Sequence, residues 1–171
     1  MFTLVIGGAA SGKSEYAETL VQRLEGRRVY LATMECTDEE CESRIEKHRL
    51  RRAQQDYLTI ERTARISAAP LPEGANVLLE CLSNLLANEM FSPVGAGGKD
   101  LWKEILELRG RCLHLTVVTN EVFSGGADYS EETLDYLRLL SESNRQLAQV
   151  ADRVVEVVAG LPVFLKGEEL P

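Results

Sequence analysis

The chain has 171 residues, enough for one domain with a full core and short of two, so a single domain over residues 1–171 is expected. Hydrophobic residues make up 44% and charged residues 27%, and a formal net charge of −8 argues against non-specific nucleic-acid binding. No run approaches the ~20 apolar residues of a membrane-spanning helix, and the N-terminus shows neither a basic region nor a cleavage signal, so a cytoplasmic protein without a membrane span is expected.

Phe2–Ile6 is an apolar run closed by glycine and reads as a buried strand. Ala17, Leu20, Val21 and Leu24 give Lys13–Leu24 the spacing of a helix with one buried face. Val29–Ala32 predicts a second strand, and the charged stretch from Asp38 to about Gln54 an exposed helix. Tyr57–Ile60 is a short strand candidate and Asn76–Leu82 a buried one. Ser83–Phe91 and Leu101–Arg111 read as helices, with a surface loop at Ser92–Gly98 between them. Leu113–Thr119 predicts another buried strand. Glu131–Ala151 is a long helix whose stripe is Leu134, Leu137, Leu140, Leu147 and Ala151. Arg153–Val158 and Val163–Lys166, separated by Gly160-Leu161-Pro162, read as a closing antiparallel pair. Short apolar strands alternating with helices predict an α/β domain, with a central, mostly parallel sheet flanked by helices.

Residues 7–14, Gly7-Gly8-Ala9-Ala10-Ser11-Gly12-Lys13-Ser14, fit the pattern G-x-x-x-x-G-K-[ST]. The stretch follows a strand and opens a helix, the context in which this pattern is a phosphate loop. Glycines let successive N–H groups turn toward phosphate oxygens, and the following helix adds its positive N-terminal end. Lys13 would reach the β- and γ-phosphates, and the Ser14 hydroxyl would ligate Mg²⁺. A second metal-holding oxygen is expected at the end of a neighbouring strand, and Val77-Leu78-Leu79-Glu80 supplies Glu80.

The four cysteines, Cys36, Cys41, Cys81 and Cys112, form no CxxC pair, so a zinc site is not expected and they read as structural or free thiols. Of the two histidines, His114 lies in an apolar run and reads as structural. His48 lies in Arg44-Ile45-Glu46-Lys47-His48-Arg49-Leu50-Arg51-Arg52. Nearby cations favour the neutral, nucleophilic imidazole and would offset charge on a phosphate under attack. On these residues alone, a solvated basic helix with an incidental histidine competes with that reading.

Together these motifs resemble the bifunctional adenosylcobinamide kinase/adenosylcobinamide-phosphate guanylyltransferase family of cobalamin biosynthesis. Gly7–Ser14 looks like that family's Gly-Gly-x-x-Ser-Gly-Lys-Ser loop, and Tyr30-Leu31-Ala32-Thr33 is similar to its second-strand ending. Arg44-Ile45, His48 and Arg52 resemble its Arg-Ile-x-x-His segment and the arginine after it. Thr59-Ile60-Glu61 is similar to a Thr-x-Glu motif. Glu80-Cys81-Leu82-Ser83 with Asn84 and Asn88, Thr119-Asn120-Glu121-Val122, and Asn144 in the last long helix complete the match.

The resemblance implies phosphorylation of adenosylcobinamide by a nucleoside triphosphate, then transfer of GMP from GTP through a guanylyl-histidine at His48. It implies Mg²⁺ with GTP or ATP as substrates, no tightly bound cofactor, adenosylcobinamide and its phosphate as partners, and a homo-oligomer such as a trimer. Arg49, Arg51 and Arg52 would hold phosphates near His48, and Thr33 would lie in the nucleotide site. Glu61 could accept both N1–H and N2–H of guanine, a donor pair adenine lacks. Asn88, Asn120 and Glu121 are candidates for substrate contact or for bracing loops. Rival readings are a small-molecule kinase that forms no covalent intermediate and a nucleotide-dependent switch.

The chain departs from the family at several positions. Ala53 stands for a usual Pro, Tyr57 for a usual Trp, and Ser141 for a usual Gly. Phe123–Tyr129 replaces a Gly followed by Gly-Ile-Val-Pro, and Tyr136-Leu137-Arg138 stands where an Arg-Asp pair is expected.

Overall fold

The computed structural model describes residues 1–34, 55–122 and 129–168. The basic stretch with His48, Arg49, Arg51 and Arg52, the helix expected from Asp38, Cys36, Cys41 and the departure at 123–128 lie outside these residues.

Seven strands form one sheet in the order β3-β2-β4-β5-β1-β6-β7. They are β1 (Phe2–Gly7), β2 (Arg28–Ala32), β3 (Tyr57–Glu61), β4 (Asn76–Glu80), β5 (His114–Asn120), β6 (Arg153–Val158) and β7 (Leu161–Lys166). The first six run parallel, and β7 pairs antiparallel with β6. The expected mostly parallel α/β architecture with an antiparallel C-terminal pair is the one observed.

Period-two alternation along the strands feeds two cores. Leu4, Val29, Leu31, Val77, Leu79, Leu115 and Val117 pack on the face covered by α2 (Leu82–Phe91), α3 (Leu101–Arg109) and α4 (Glu131–Val150). Val5, Tyr30, Leu78, Val118 and Val155 point to the other face, where Ala17 and Val21 of α1 (Lys13–Gln22) cover them. Strands buried on both faces read as continuous apolar runs, which is why they stood out in the sequence.

Several boundaries differ from expectation. The strand expected to run to Leu82 stops at Glu80, and Leu82 opens α2, its side chain fully buried. Leu161 and Pro162 belong to β7, not to a linker. The turn is the two residues Ala159 and Gly160, both at positive φ (50° and 80°), the geometry that continues the twist of a tight hairpin. Pro162 is tolerated because β7 is an edge strand. In α4 the expected apolar stripe is buried only in its second half: Leu140, Leu147 and Ala151 are buried, while Leu134 is 38% exposed. In the first turns Tyr136 packs partly against the core and its hydroxyl reaches the Ser83 carbonyl, so a tyrosine and not Leu134 makes the inward contact there.

Candidate active site

Gly7 ends β1 at the carboxyl edge of the sheet, in register with Asn120 of β5. A Cβ on Gly7 would sit 2.5 Å from Ser11 Oγ and 2.7 Å from the Val157 carbonyl oxygen, so only glycine lets the loop fold back over the strand. Gly12 takes φ +88° immediately before α1, and a Cβ there would come 3.1 Å from Gly160 Cα. Between these glycines the Ser11 N–H donates to the Gly8 carbonyl at 3.3 Å, and Lys13 Nζ donates to the same oxygen at 3.0 Å. The lysine therefore arches over its own loop, its ammonium above the amides of residues 8–12. Helix α1 begins at Lys13 with no side-chain cap. Its first-turn amides are the orphan donors of a helix N-terminus, open to an anion.

The loop is held from both sides. The Glu121 N–H donates to the Gly7 carbonyl at 3.0 Å, and the Gly160 N–H donates to the Ser11 carbonyl at 2.8 Å. Neither the end of β5 nor the β6–β7 turn was legible as a loop support in the sequence, because both are distant along the chain.

Glu80 does not end a strand adjacent to β1; β5 lies between them. It is level with Val118, hence with Val5, two strand spacings or about 10 Å away. It shares the α1 face of the sheet with Tyr30, whose hydroxyl donates to Glu80 Oε2 at 2.9 Å. Burial chiefly raises the Cys81 thiol, with the adjacent Glu80 carboxylate raising it further and the Lys13 ammonium lowering it. Tyr30 was not anticipated as a partner of Glu80.

The remaining expected site residues are distributed as follows. Thr33 is fully buried; its hydroxyl donates to the Cys81 carbonyl at 2.8 Å, bracing the ends of β2 and β4. Asn88 Nδ2 donates to the Thr33 and Thr63 carbonyls at 2.7 and 3.1 Å. Asn120 Nδ2 donates to Ser83 Oγ at 2.5 Å, and Asn144 accepts from Thr119 Oγ1 at 2.8 Å. Ser83 Oγ lies 3.0 Å from Cys81 Sγ, and the Tyr136 hydroxyl donates to the Ser83 carbonyl at 3.2 Å. The asparagines are thus in bracing positions around the carboxyl edge. Glu61 is exposed at the end of edge strand β3, level with Ala32 and Glu80, four strand spacings or about 19 Å from β1. His114 is half-buried at the start of β5, and burial lowers its imidazole below the ordinary value.

A glycine-bounded loop joining the first parallel strand to a helix, with a lysine over its amides and a carboxylate beyond, defines a P-loop nucleotide-binding protein. A solved ATPase from the type III secretion system of pathogenic bacteria shares the fold, with a TM-score of 0.56 and 8% identity over 95% of this chain; the chain spans 56% of that protein. Residues 3–165 match the family "Cobinamide kinase / cobinamide phosphate guanyltransferase", and the chain belongs to that family. It is 33% identical over 97% of its length to the bifunctional adenosylcobalamin biosynthesis protein CobU of Escherichia coli. It is 34% identical over 99% to CobP of Pseudomonas aeruginosa and 31% identical over 97% to CobU of Salmonella typhimurium, and spans the full length of all three. No helix among the described residues is long and apolar enough to cross a membrane.

The oxygen donors here suit Mg²⁺, a hard cation that keeps waters and phosphate oxygens and needs only one or two protein ligands. Ser14 sits in the first turn of α1, and Glu80 already presents its carboxylate on the same face of the sheet. No group of three or more His, Cys, Asp or Glu side chains among the described residues forms a metal cage.

Proposed function

We propose that the chain is a single nucleotide-binding domain that phosphorylates adenosylcobinamide and then guanylylates the phosphate through His48. The observation that carries the reading is the Gly7–Ser14 loop with Lys13 arched over it, in a chain aligned end to end with bifunctional relatives. In the first reaction the corrinoid side-chain hydroxyl attacks the γ-phosphorus and releases its proton to solvent, the bond to the β-phosphate bridging oxygen breaks, and the nucleoside diphosphate leaves. Loop amides and Lys13 stabilise charge on the transferring and leaving phosphates. Mg²⁺, when held by Ser14 and Glu80, neutralises phosphate charge.

In the second reaction an imidazole nitrogen of His48 attacks the α-phosphorus of GTP, and pyrophosphate departs with the bonding pair. A phosphate oxygen of adenosylcobinamide phosphate then attacks that phosphorus, the P–N bond breaks and the histidine is restored. Arg49, Arg51 and Arg52 hold phosphates during the exchange, and Glu61 reads guanine. The enzyme works as a homo-oligomer in the cytoplasm.

The test is incubation with GTP labelled at the α-phosphorus and Mg²⁺, followed by denaturation. Acid-labile, alkali-stable label on the protein, absent in His48→Ala, supports the covalent route. Absence of label with cobinamide phosphorylation intact leaves a kinase without a covalent intermediate. Loss of both activities points to a switch module.

A further inference from the structure

A pocket of about 260 Å³ lies against α1, lined by Gly12, Tyr16, Thr19, Leu20, Arg23 and Gly160 together with Glu15. We propose that it seats the base of the nucleotide that donates its γ-phosphate, the phosphates of that nucleotide lying in the adjoining Gly7–Ser14 loop. The inference rests on the phosphate-loop reading above and adds where the rest of the nucleotide goes.

Three observations carry it. The pocket is continuous with the loop, since Gly12 belongs to both. Its far lip is tied to the loop by the Gly160 N–H to Ser11 carbonyl bond of 2.8 Å, which joins pocket and cradle. Its lining has the chemistry a heterocyclic base requires. Leu20, 5% exposed, supplies apolar surface, and the Tyr16 ring, packed partly against the α1-side core, supplies an aromatic face. Glu15 brings a carboxylate that can accept from an exocyclic amino group, and Arg23 a planar guanidinium. The volume is below the roughly 300–1,000 Å³ of pockets that enclose a whole drug-sized ligand, and suits one base rather than an entire nucleotide.

The pocket lies on the β6–β7 side of β1, whereas Glu61 ends β3 at the opposite edge of the sheet. A base in this pocket is therefore not the guanine assigned to Glu61. One phosphate cradle serves two base seats.

The experiment is calorimetric titration with Mg·ATP and with Mg·tripolyphosphate, which has phosphates but no base. It uses the unsubstituted protein, Thr19→Trp, Tyr16→Leu and Lys13→Ala. Thr19 is an exposed helix position, so Trp there fills the pocket without disturbing the core; Leu at 16 keeps apolar packing but removes the ring. The expected result is a loss of ATP affinity of about tenfold or more in both pocket variants, with tripolyphosphate affinity changed less than about twofold. Unchanged ATP affinity in both variants overturns the base seat. An equal loss for both ligands also overturns it, because Tyr16 and Thr19 would then only prop the loop. Retention of both ligands by Lys13→Ala would instead remove the phosphate-loop reading.

Discussion

The backbone N–H of Gly160 donates to the carbonyl oxygen of Ser11 across 2.8 Å, so a hairpin turn late in the chain clamps a loop formed near its start. The clamp leaves no room for side chains where the two backbones meet. At Gly12 a Cβ would be 3.1 Å from Gly160 Cα and would need φ +88°. At Gly7 it would meet the Val157 carbonyl at 2.7 Å. Gly12→Ala and Gly7→Ala are each expected to cost about 1–3 kcal/mol and to weaken Mg·ATP binding at least tenfold. Denaturant unfolding and titration check the two effects separately.

Asn88 gives both hydrogens of its side-chain amide to carbonyls, of Thr33 and Thr63. It therefore acts as a tie between the end of β2 and the segment after β3. Asn88→Ala is expected to lower stability by about 1–2 kcal/mol, read as a lower melting temperature. The KM for the corrinoid should stay within about twofold of the unsubstituted enzyme. A raised corrinoid KM with unchanged stability would instead make Asn88 a substrate ligand.

Asp152 carries a pH dependence of stability. Its Oδ2 accepts from the Phe2 N–H at 2.6 Å, and Arg109 lies 3.7 Å from the same oxygen. The backbone hydrogen bond foremost, and then the guanidinium, hold the carboxyl below its ordinary value of 3.8. The folded-state value is depressed, so the contribution is fully present above the unfolded value and is lost as pH falls through the native one. The group is half-exposed, which keeps the effect near 1 kcal/mol. Asp152→Asn should lower the melting temperature at pH 7 and narrow its fall between pH 7 and pH 3 relative to the unsubstituted protein.

Burial pushes the Cys112 thiol up to about 11, and burial likewise raises Cys81. At pH 8 the thiolate fraction at Cys112 is therefore far below that of a free cysteine. Brief iodoacetamide treatment of the native protein, followed by peptide mapping, should leave the Cys81 and Cys112 peptides unmodified. Both should react once the protein is unfolded. Rapid native labelling at either position would show that the strand ends open readily.

The phosphate loop, the parallel α/β class and, among the described residues, the position of nearly every strand and α-helix were legible in the sequence, because each has a local cause. Glycine at fixed offsets permits the loop, an uninterrupted apolar run marks a strand covered on both faces, and a 3.6-residue period marks a one-sided helix. What the sequence left open depends on which distant segments become neighbours. β5 inserts between β1 and β4 and sets Glu80 about 10 Å from the first strand. The Tyr30 hydroxyl reaches that carboxylate from a strand 50 residues away. Thr33, Asn88 and Asn120 make backbone and side-chain ties that no local pattern encodes. Local stereochemistry fixed the cradle; only the order of strands in the sheet, set by how two separate cores are buried, decided what stands around it.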